Sequence, residues 1–304
     1  MIPTFPNFKN LTTDDMAGIR TFGSLFPPYS DFNFISMYCY DTNNDFLISN
    51  LNGNLVVRFK EYESEEHFYS FLGVNKPLDT IVMLMEHSKT EGINQILKLV
   101  PEHSIKTLLQ QPGESGFKIS EDPANFDYII SVPKLISLKG RKIYSYKNLI
   151  RRFYKKYPDV IIKTLNLEDD SISRDIIKLF LIWAESKKKS DDEIKFELQA
   201  IKRLLSIAGM VELVSIGVYA DNKLIGFSIE EVDHDGYAMA HFGKADVKYG
   251  GIYQVLEYES AKFLESKGCQ FVNLEQDLGI EGLMRNKRNW DPVSYLKKYL
   301  IEFK

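Results

Sequence analysis

The chain has 304 residues, 44% hydrophobic and 26% charged, enough apolar content for a buried core and enough length for two compact domains, which excludes wholesale disorder. No apolar run approaches the roughly eighteen residues of a membrane span, and the N-terminus lacks the basic region and long apolar stretch of a signal peptide. The formal net charge of −4 argues on average against a polyanionic partner, and with only Cys39 and Cys269 able to pair, a reduced, cytoplasmic protein is expected.

Thr12 or Thr13 with Asp14 and Asp15 predicts a helix start, and Pro27-Pro28 its stop. After an aromatic segment from Tyr29 to Tyr40, Phe46–Ser49 and Leu55–Phe59 flank Asn52-Gly53, a strong hairpin signal. Residues 64–72 and 77–88 read as helices and 93–100 as a strand, while 127–138 is ambiguous between the two. The stretch from Arg141 to Tyr157 has helical length and ends at Pro158, and Val160–Leu165 reads as a strand. A domain boundary is placed there, giving residues 1–157 and 158–304. Ser190 to Glu193 forms a capping box, and Ile194, Leu198, Ile201, Leu204, Leu205 and Ala208 recur at helical spacing up to Gly209. Strands follow at 213–219, 224–232 and 237–244, then a helix opened by Gly250-Gly251 and closed by Gly268, a strand at 271–275, and a last strand near 295–303. The second half thus reads as two helices, three strands, helix, strand, helix, strand. The first half is a blurred version of the same order, so two similar α/β domains in tandem are expected.

The average charge hides an uneven distribution. Residues 139–156 contain Lys139, Arg141, Lys142, Lys147, Arg151, Arg152, Lys155 and Lys156 and no acid, a local +8. From Leu283 onward Arg285, Lys287, Arg288, Lys297, Lys298 and Lys304 outweigh Asp291 and Glu302 by four charges, leaving −16 for the rest. The two segments form either one phosphate-attracting surface or two unrelated solvated faces. Tyr144, Tyr146, Phe153, Tyr154 and Tyr157 interleave with the first cluster; the rings suit stacked bases or trace a core-facing helix stripe.

Tyr29-Ser-Asp-Phe-Asn-Phe34, Gly140-Arg-Lys-Ile-Tyr144 with Arg152-Phe153, Lys244-Ala245 with Gly251-Ile-Tyr-Gln254, and Asn273-Leu-Glu-Gln-Asp-Leu-Gly279 together resemble the family of the C-terminal domain of phosphatidylglycerol lysyltransferase, over most of the chain. The resemblance implies two fused acetyltransferase-type (GNAT-like) acyltransferase domains, with mixed, mostly antiparallel sheets flanked by helices. It also implies transfer of an amino acid from charged tRNA to an acceptor. Members that make lipids add many transmembrane helices, and this sequence shows none. Where the resemblance predicts an acid between His241 and Lys244 there is Gly243, and where it predicts an arginine after Leu283 there is Met284. The two charges were lost together as a pair, or the activity has changed.

Such a domain holds the coenzyme A pyrophosphate on amides at a helix N-terminus, and the nearest match is Lys248, Gly250 and Gly251, with Tyr253 where a small residue should stand. The alternative is that the two glycines simply turn the chain into a helix. Transfer to an amine or hydroxyl needs a base and otherwise works by positioning. Glu275 and His241 are the catalytic candidates, if their strands are neighbours. His241 could equally be a hydrogen-bonded histidine in a sheet, and Glu275-Gln276-Asp277 a polar turn. Strict alternation would put Tyr237, Met239, His241 and Gly243 on one face and Lys244 on the other. Asn273, Gln276, Asp277, Lys244, Lys287 and Arg285 are candidate substrate-binding residues; Lys248, Gly250, Gly251, Arg141, Lys142, Lys147, Arg151 and Arg152 are candidate phosphate or tRNA contacts. Expected partners are tRNA and a small-molecule, peptide or lipid head-group acceptor, the donor being aminoacyl-tRNA or acyl-coenzyme A. A catalytically silent binding protein on the same fold is the third reading. The five histidines are scattered and no nucleotide-binding glycine pattern appears, so no metal is expected.

Overall fold

The computed structural model describes residues 1–61, 66–110, 116–140 and 143–304. The chain forms two compact units: Met1–Asp127, Gln276–Ile280 and Tyr295–Lys304 make the first, and Tyr128–Glu275 with Glu281–Ser294 the second. No helix among the described residues is long and apolar enough to cross a membrane.

The first unit opens with β1 (Lys9–Asn10) and a capping box in which the Thr12 amide donates to Asp15 Oδ2 (3.1 Å), leading into α1 (Met16–Gly23). Helix α2 (Phe34–Tyr40) is capped by Asn33, whose side chain accepts from the Ser36 amide. The expected hairpin forms from β2 (Leu47–Leu51) and β3 (Asn54–Lys60). Asn52 (φ 57°) and Gly53 (φ 83°) take the left-handed conformations that match strand twist. The helix expected near 64–72 is instead β4 (His67–Leu72). Phe68, Tyr69, Phe71 and Leu72 are all buried between β3 and β5 (Ile96–Pro101), and a strand covered on both faces loses the alternation that would reveal it. Helices α3 (Pro77–Thr90) and α4 (Glu102–Leu109) and strand β6 (Phe117–Glu121) complete this half of the chain.

The ambiguous stretch splits into β7 (Asp127–Ser131) and α5 (Val132–Ser137). Then come α6 (Tyr144–Lys156), β8 (Ile161–Thr164), α7 (Asp170–Ser186) and α8 (Asp191–Ser206), the last with the expected Ser190–Glu193 capping box. Strands β9 (Leu213–Ala220), β10 (Lys223–Val232) and β11 (Tyr237–Ala245) precede α9 (Ile252–Ser266), β12 (Phe271–Asn273), α10 (Glu281–Asn289), β13 (Ser294–Leu296) and β14 (Lys298–Phe303).

Among the described residues the strands form two seven-stranded sheets, ordered β1-β2-β3-β4-β5-β14-β6 and β8-β9-β10-β11-β12-β7-β13. The orders correspond strand for strand. In each, the fourth and fifth strands pair in parallel, β4 with β5 and β11 with β12, and the first four are antiparallel. In each, the sixth strand comes from the end of the other half of the chain. Strand β7 pairs with β12, and β14 enters between β5 and β6. This exchange moves two expectations. Residues 128–157, expected in the first domain, group with the second unit, because β7 is a strand of its sheet and α6 packs on α9. The strand near 295–303, expected to close the second sheet, closes the first. In the second unit Ile252, Val255 and Leu256 of α9 pack on Ile216, Val218, Ile225 and Ala245 of the sheet, together with Ile150 and Phe153 of α6.

Candidate active site

Strands β10 and β11 are in register at both ends and out of register in the middle. Glu231 pairs with Met239 and Glu230 with Ala240, whereas Ile229 pairs with Phe242 and Ser228 with Gly243, so His241 is the extra residue of a β-bulge. Because opposed residues share a face, Gly243 joins Ala240 on one face, and Lys244 and Phe242 join Met239 on the other; His241, unpaired in the bulge, is on the face of Met239 because it meets Glu231, the residue opposite Met239. The alternation expected to point His241 and Lys244 apart is thereby overturned.

The parallel pairing of β11 with β12 ends at Met239 and Asn273, while β11 runs on to Ala245. The chain leaves β12 through Glu275, whose φ of 57° is a strained conformation for a side chain of its kind; the Asn273 side chain holds it there by accepting the Glu275 amide (2.7 Å). Glu275 is thus set where the two strands part. Its Oε1 lies 3.7 Å from His241 Nδ1, and Glu231 Oε2 lies 3.6 Å from His241 Nε2. The imidazole is 2% exposed and the Glu275 side chain 16%, so the carboxylate is the member of the line that reaches solvent. Burial works against the ring's charge, but the hydrogen bonding and charge of Glu231 and Glu275 outweigh it and push its pKa up to about 9. On the opposite face, Glu230 accepts from the Ser260 hydroxyl of α9, and Ser260 lies 3.3 Å from Ser228. Burial pushes the Glu230 carboxyl up to about 8, so it is largely protonated at neutral pH.

The other candidates divide. Lys244 is held by Glu197 (2.5 Å) and by the Trp183 ring (4.2 Å), which makes it a packing element beside the site. Lys287 lies over the Tyr128 ring (6.0 Å), and Arg285 pairs with Glu281 (2.6 Å) on the exposed side of α10. Gln276 and Asp277 belong to the first unit. Gln276 Oε1 lies 2.7 Å from Ser30 Oγ, and Asp277 accepts the Gly279 amide (2.8 Å). Gln276 therefore joins a buried cluster in which Lys298, 0% exposed, pairs with Asp127 (2.7 Å) and Asp31. The Tyr29–Phe34 motif supplies this cluster through Ser30 and Asp31. It also removes Lys298 from any positive surface, and Lys297 is engaged by Glu121 (2.6 Å).

At the glycine turn before α9, Gly251 (φ 94°) stands where a Cβ would come 3.0 Å from the Leu149 carbonyl oxygen of α6; Gly250 has open space. Asp246 accepts the Lys248 amide (3.1 Å) and pairs with the Lys248 ammonium (2.7 Å), so a carboxylate already takes groups that a pyrophosphate would need. On α6, Tyr146, Ile150 and Phe153 face the core, and Lys147, Arg151, Arg152, Lys155 and Lys156 are exposed. The rings belong to the packing: Tyr146 meets Trp290 (4.4 Å between centroids), Tyr157 meets Tyr249 (5.0 Å), and Tyr154 donates to Glu259 (2.7 Å). Among the described rings of this segment Tyr144, 63% exposed, is the one open to solvent beside the cations. Arg141 and Lys142 lie outside the described residues.

Glu230 and Glu231 were missed from sequence. Their signal is two adjacent acids inside the largely apolar run Leu224–Val232, where a buried charge needs a partner.

The family model for the phosphatidylglycerol lysyltransferase C-terminal region matches residues 24–302. No curated protein matches the chain. Among solved structures, a conserved protein of unknown function from Bacteroides thetaiotaomicron is similar over 100% of both chains at 25% identity, with a TM-score of 0.85. The C-terminal domain of a putative lysylphosphatidylglycerol synthetase from Agrobacterium fabrum is similar at 12% identity and TM-score 0.65, over 95% of this chain and 91% of that one. A tandem GNAT protein from the clavulanic acid biosynthesis pathway shares the fold at 8% identity and TM-score 0.52, over 97% of each chain.

Proposed function

The chain belongs to the phosphatidylglycerol lysyltransferase C-terminal family, and on that premise we propose that it is an aminoacyltransferase, moving an amino acid from the ester of a charged tRNA to an amine or hydroxyl acceptor. Its GNAT-like fold is an acyltransferase architecture. The observation that carries the reading is Glu275 beside His241 where β11 and β12 part. A parting parallel pair leaves strand edges that can hold an extended acyl group, and Glu275 stands at the opening as a base. The exposed cations of α6 support a nucleic-acid donor. Lys147, Arg151 and Lys155 recur every fourth residue and so line one stripe of the helix, with Arg152 and Lys156 beside it. The acceptor is a small molecule, a peptide or a lipid head group.

Acyl-coenzyme A as donor draws less support, because Asp246 occupies the Lys248 amide and ammonium at the turn before α9. The test is binding of bulk charged tRNA at low and moderate salt, followed by release of the labelled amino acid to candidate acceptors. Salt-sensitive binding with transfer that Glu275→Gln abolishes supports the reading. Negligible binding together with saturable stabilisation by acetyl-coenzyme A overturns it in favour of the coenzyme. A Glu275→Gln protein indistinguishable in every activity points to a silent binding protein.

A further inference from the structure

A histidine whose two ring nitrogens both face carboxylates has one protonation state that suits it. In the neutral ring one nitrogen carries a lone pair, and that lone pair would oppose the lone pairs of a carboxylate; only the imidazolium turns an N–H and positive charge to both sides, as an ion pair does at these distances. His241 is in this position. Glu231 Oε2 faces Nε2 at 3.6 Å and Glu275 Oε1 faces Nδ1 at 3.7 Å, and the ring is shut away from water. Glu231 owes its place to the bulge. Opposite Met239, one residue past the break in register, it shares the face of His241, whereas its neighbour Glu230 is turned to Ser260 on the other face.

We propose that Glu231 is a positioning residue that, with Glu275, fixes His241 as an imidazolium, so that His241 is excluded as the base and the base role falls to Glu275. The second half rests on the aminoacyl-transfer reading above; the first does not. In the reaction the acceptor's X–H proton passes to the Glu275 carboxylate as X bonds to the ester carbonyl carbon. The bond from that carbon to the tRNA ribose oxygen then breaks, and Glu275 returns the proton to the departing oxygen. Nothing is oxidised or reduced, and His241 keeps its proton throughout. Its positive charge steadies the carboxylate before the reaction and the anionic tetrahedral intermediate during it. The charged groups that face the ring are Glu231 on β10 and Glu275 beyond β12; Glu230 on β10 is titratable but lies on the opposite face and is largely protonated at neutral pH, and farther along β11 the charge of Lys244 is met by Glu197.

The experiment is nitrogen NMR of protein labelled at histidine, with His241→Gln to identify the His241 signals among the five histidines. Both ring nitrogens of His241 should be protonated at pH 7.5, with a titration midpoint near 9. In Glu231→Gln the midpoint should fall by at least a factor of ten in proton affinity and a neutral tautomer should appear. Glu231→Asp, which keeps the charge at shorter reach, should lie between, and it stands in if the glutamine variant does not fold. A neutral His241 in the unaltered protein, or a midpoint that neither variant moves, overturns the assignment of Glu231. If the NMR behaves as expected, transfer should show kcat reduced at least tenfold in Glu231→Gln with KM little changed. Expected NMR with no transfer to any acceptor leaves the Glu231–His241 link standing and sinks the base role of Glu275 with the aminoacyl reading.

Discussion

Replacing Lys298 with methionine keeps the length of the side chain and removes a cation shared by Asp31 and Asp127, whose side chains are 6% and 0% exposed. Ser30 still donates its amide to Asp127 Oδ2 (2.8 Å), so one carboxylate keeps part of its solvation, but neither keeps this counter-charge. Breaking a buried pair from one side costs about 3–5 kcal/mol, which for a unit of this size corresponds to a fall of roughly 10–20 °C in melting temperature. Burial lowers the Lys298 pKa, but Asp127 and Asp31 outweigh it and raise it above the ordinary 10.5. A raised lysine pKa contributes stability that is fully present below that ordinary value and is lost as pH rises through the folded one. The unaltered protein should therefore weaken above about pH 10.5, and Lys298→Met should lack that loss. Because Lys298 sits on β14, the damage should appear in the first unit, read by urea unfolding with hydrogen exchange on β5 and β6, the neighbours of β14. Combining Lys298→Met with Asp31→Asn and Asp127→Asn should restore more than half of the loss, since no buried charge is then left. A single variant within about 1 kcal/mol of the unaltered protein would refute the reasoning, because a buried charge cluster cannot lose its cation so cheaply.

Four further outcomes follow from the same structure. Glu275→Gln should lower transfer by about 100-fold or more, checked by single-turnover rates at a temperature where the variant is fully folded; a rate within threefold removes Glu275 as the base. Changing Lys147, Arg151, Arg152, Lys155 and Lys156 to alanine should leave folding intact, since all five are exposed, while reducing both tRNA affinity and its dependence on salt; an unchanged salt slope detaches α6 from the donor. Gly251→Ala should destabilise by more than about 1 kcal/mol, because a Cβ there meets the Leu149 carbonyl and the left-handed backbone, while Gly250→Ala next to it meets nothing; equal effects in denaturant melts would contradict this. The folded Glu230 holds a proton up to about pH 8 that the unfolded chain releases near 4.5, so this group makes stability fall as pH rises between those values. Glu230→Gln should flatten that fall in unfolding measured at pH 5 and pH 8.

The local elements were legible where short-range chemistry sets them. Asn52-Gly53 dictates a tight turn, Ser190–Glu193 a helix start, and Gly250-Gly251 the entry to α9, whatever surrounds them. Strand β4 was not legible, because its both-sided burial erases the periodicity from which strands are read. Of the proposed site, Glu275 and His241 could be named from the sequence, and the structure brings the two together. The third member, Glu231, depended on which face it takes, and the bulge that decides this is a property of the pairing between two strands.

By itself the sequence determined the family, the α/β order repeated along the chain, the acid-free basic helix, and Glu275 and His241 as the pair to watch, because residue type and spacing along one strand or helix are local facts. Only the tertiary structure decided that β7 and β14 cross to complete each other's sheets, that Lys298 is a buried counter-ion for Asp31 and Asp127, and that His241 stands between two carboxylates. Strand exchange and the buried Lys298 cluster join residues more than a hundred positions apart, and the bulge sets a face that alternation along a single strand does not carry; no pattern within one segment holds that information.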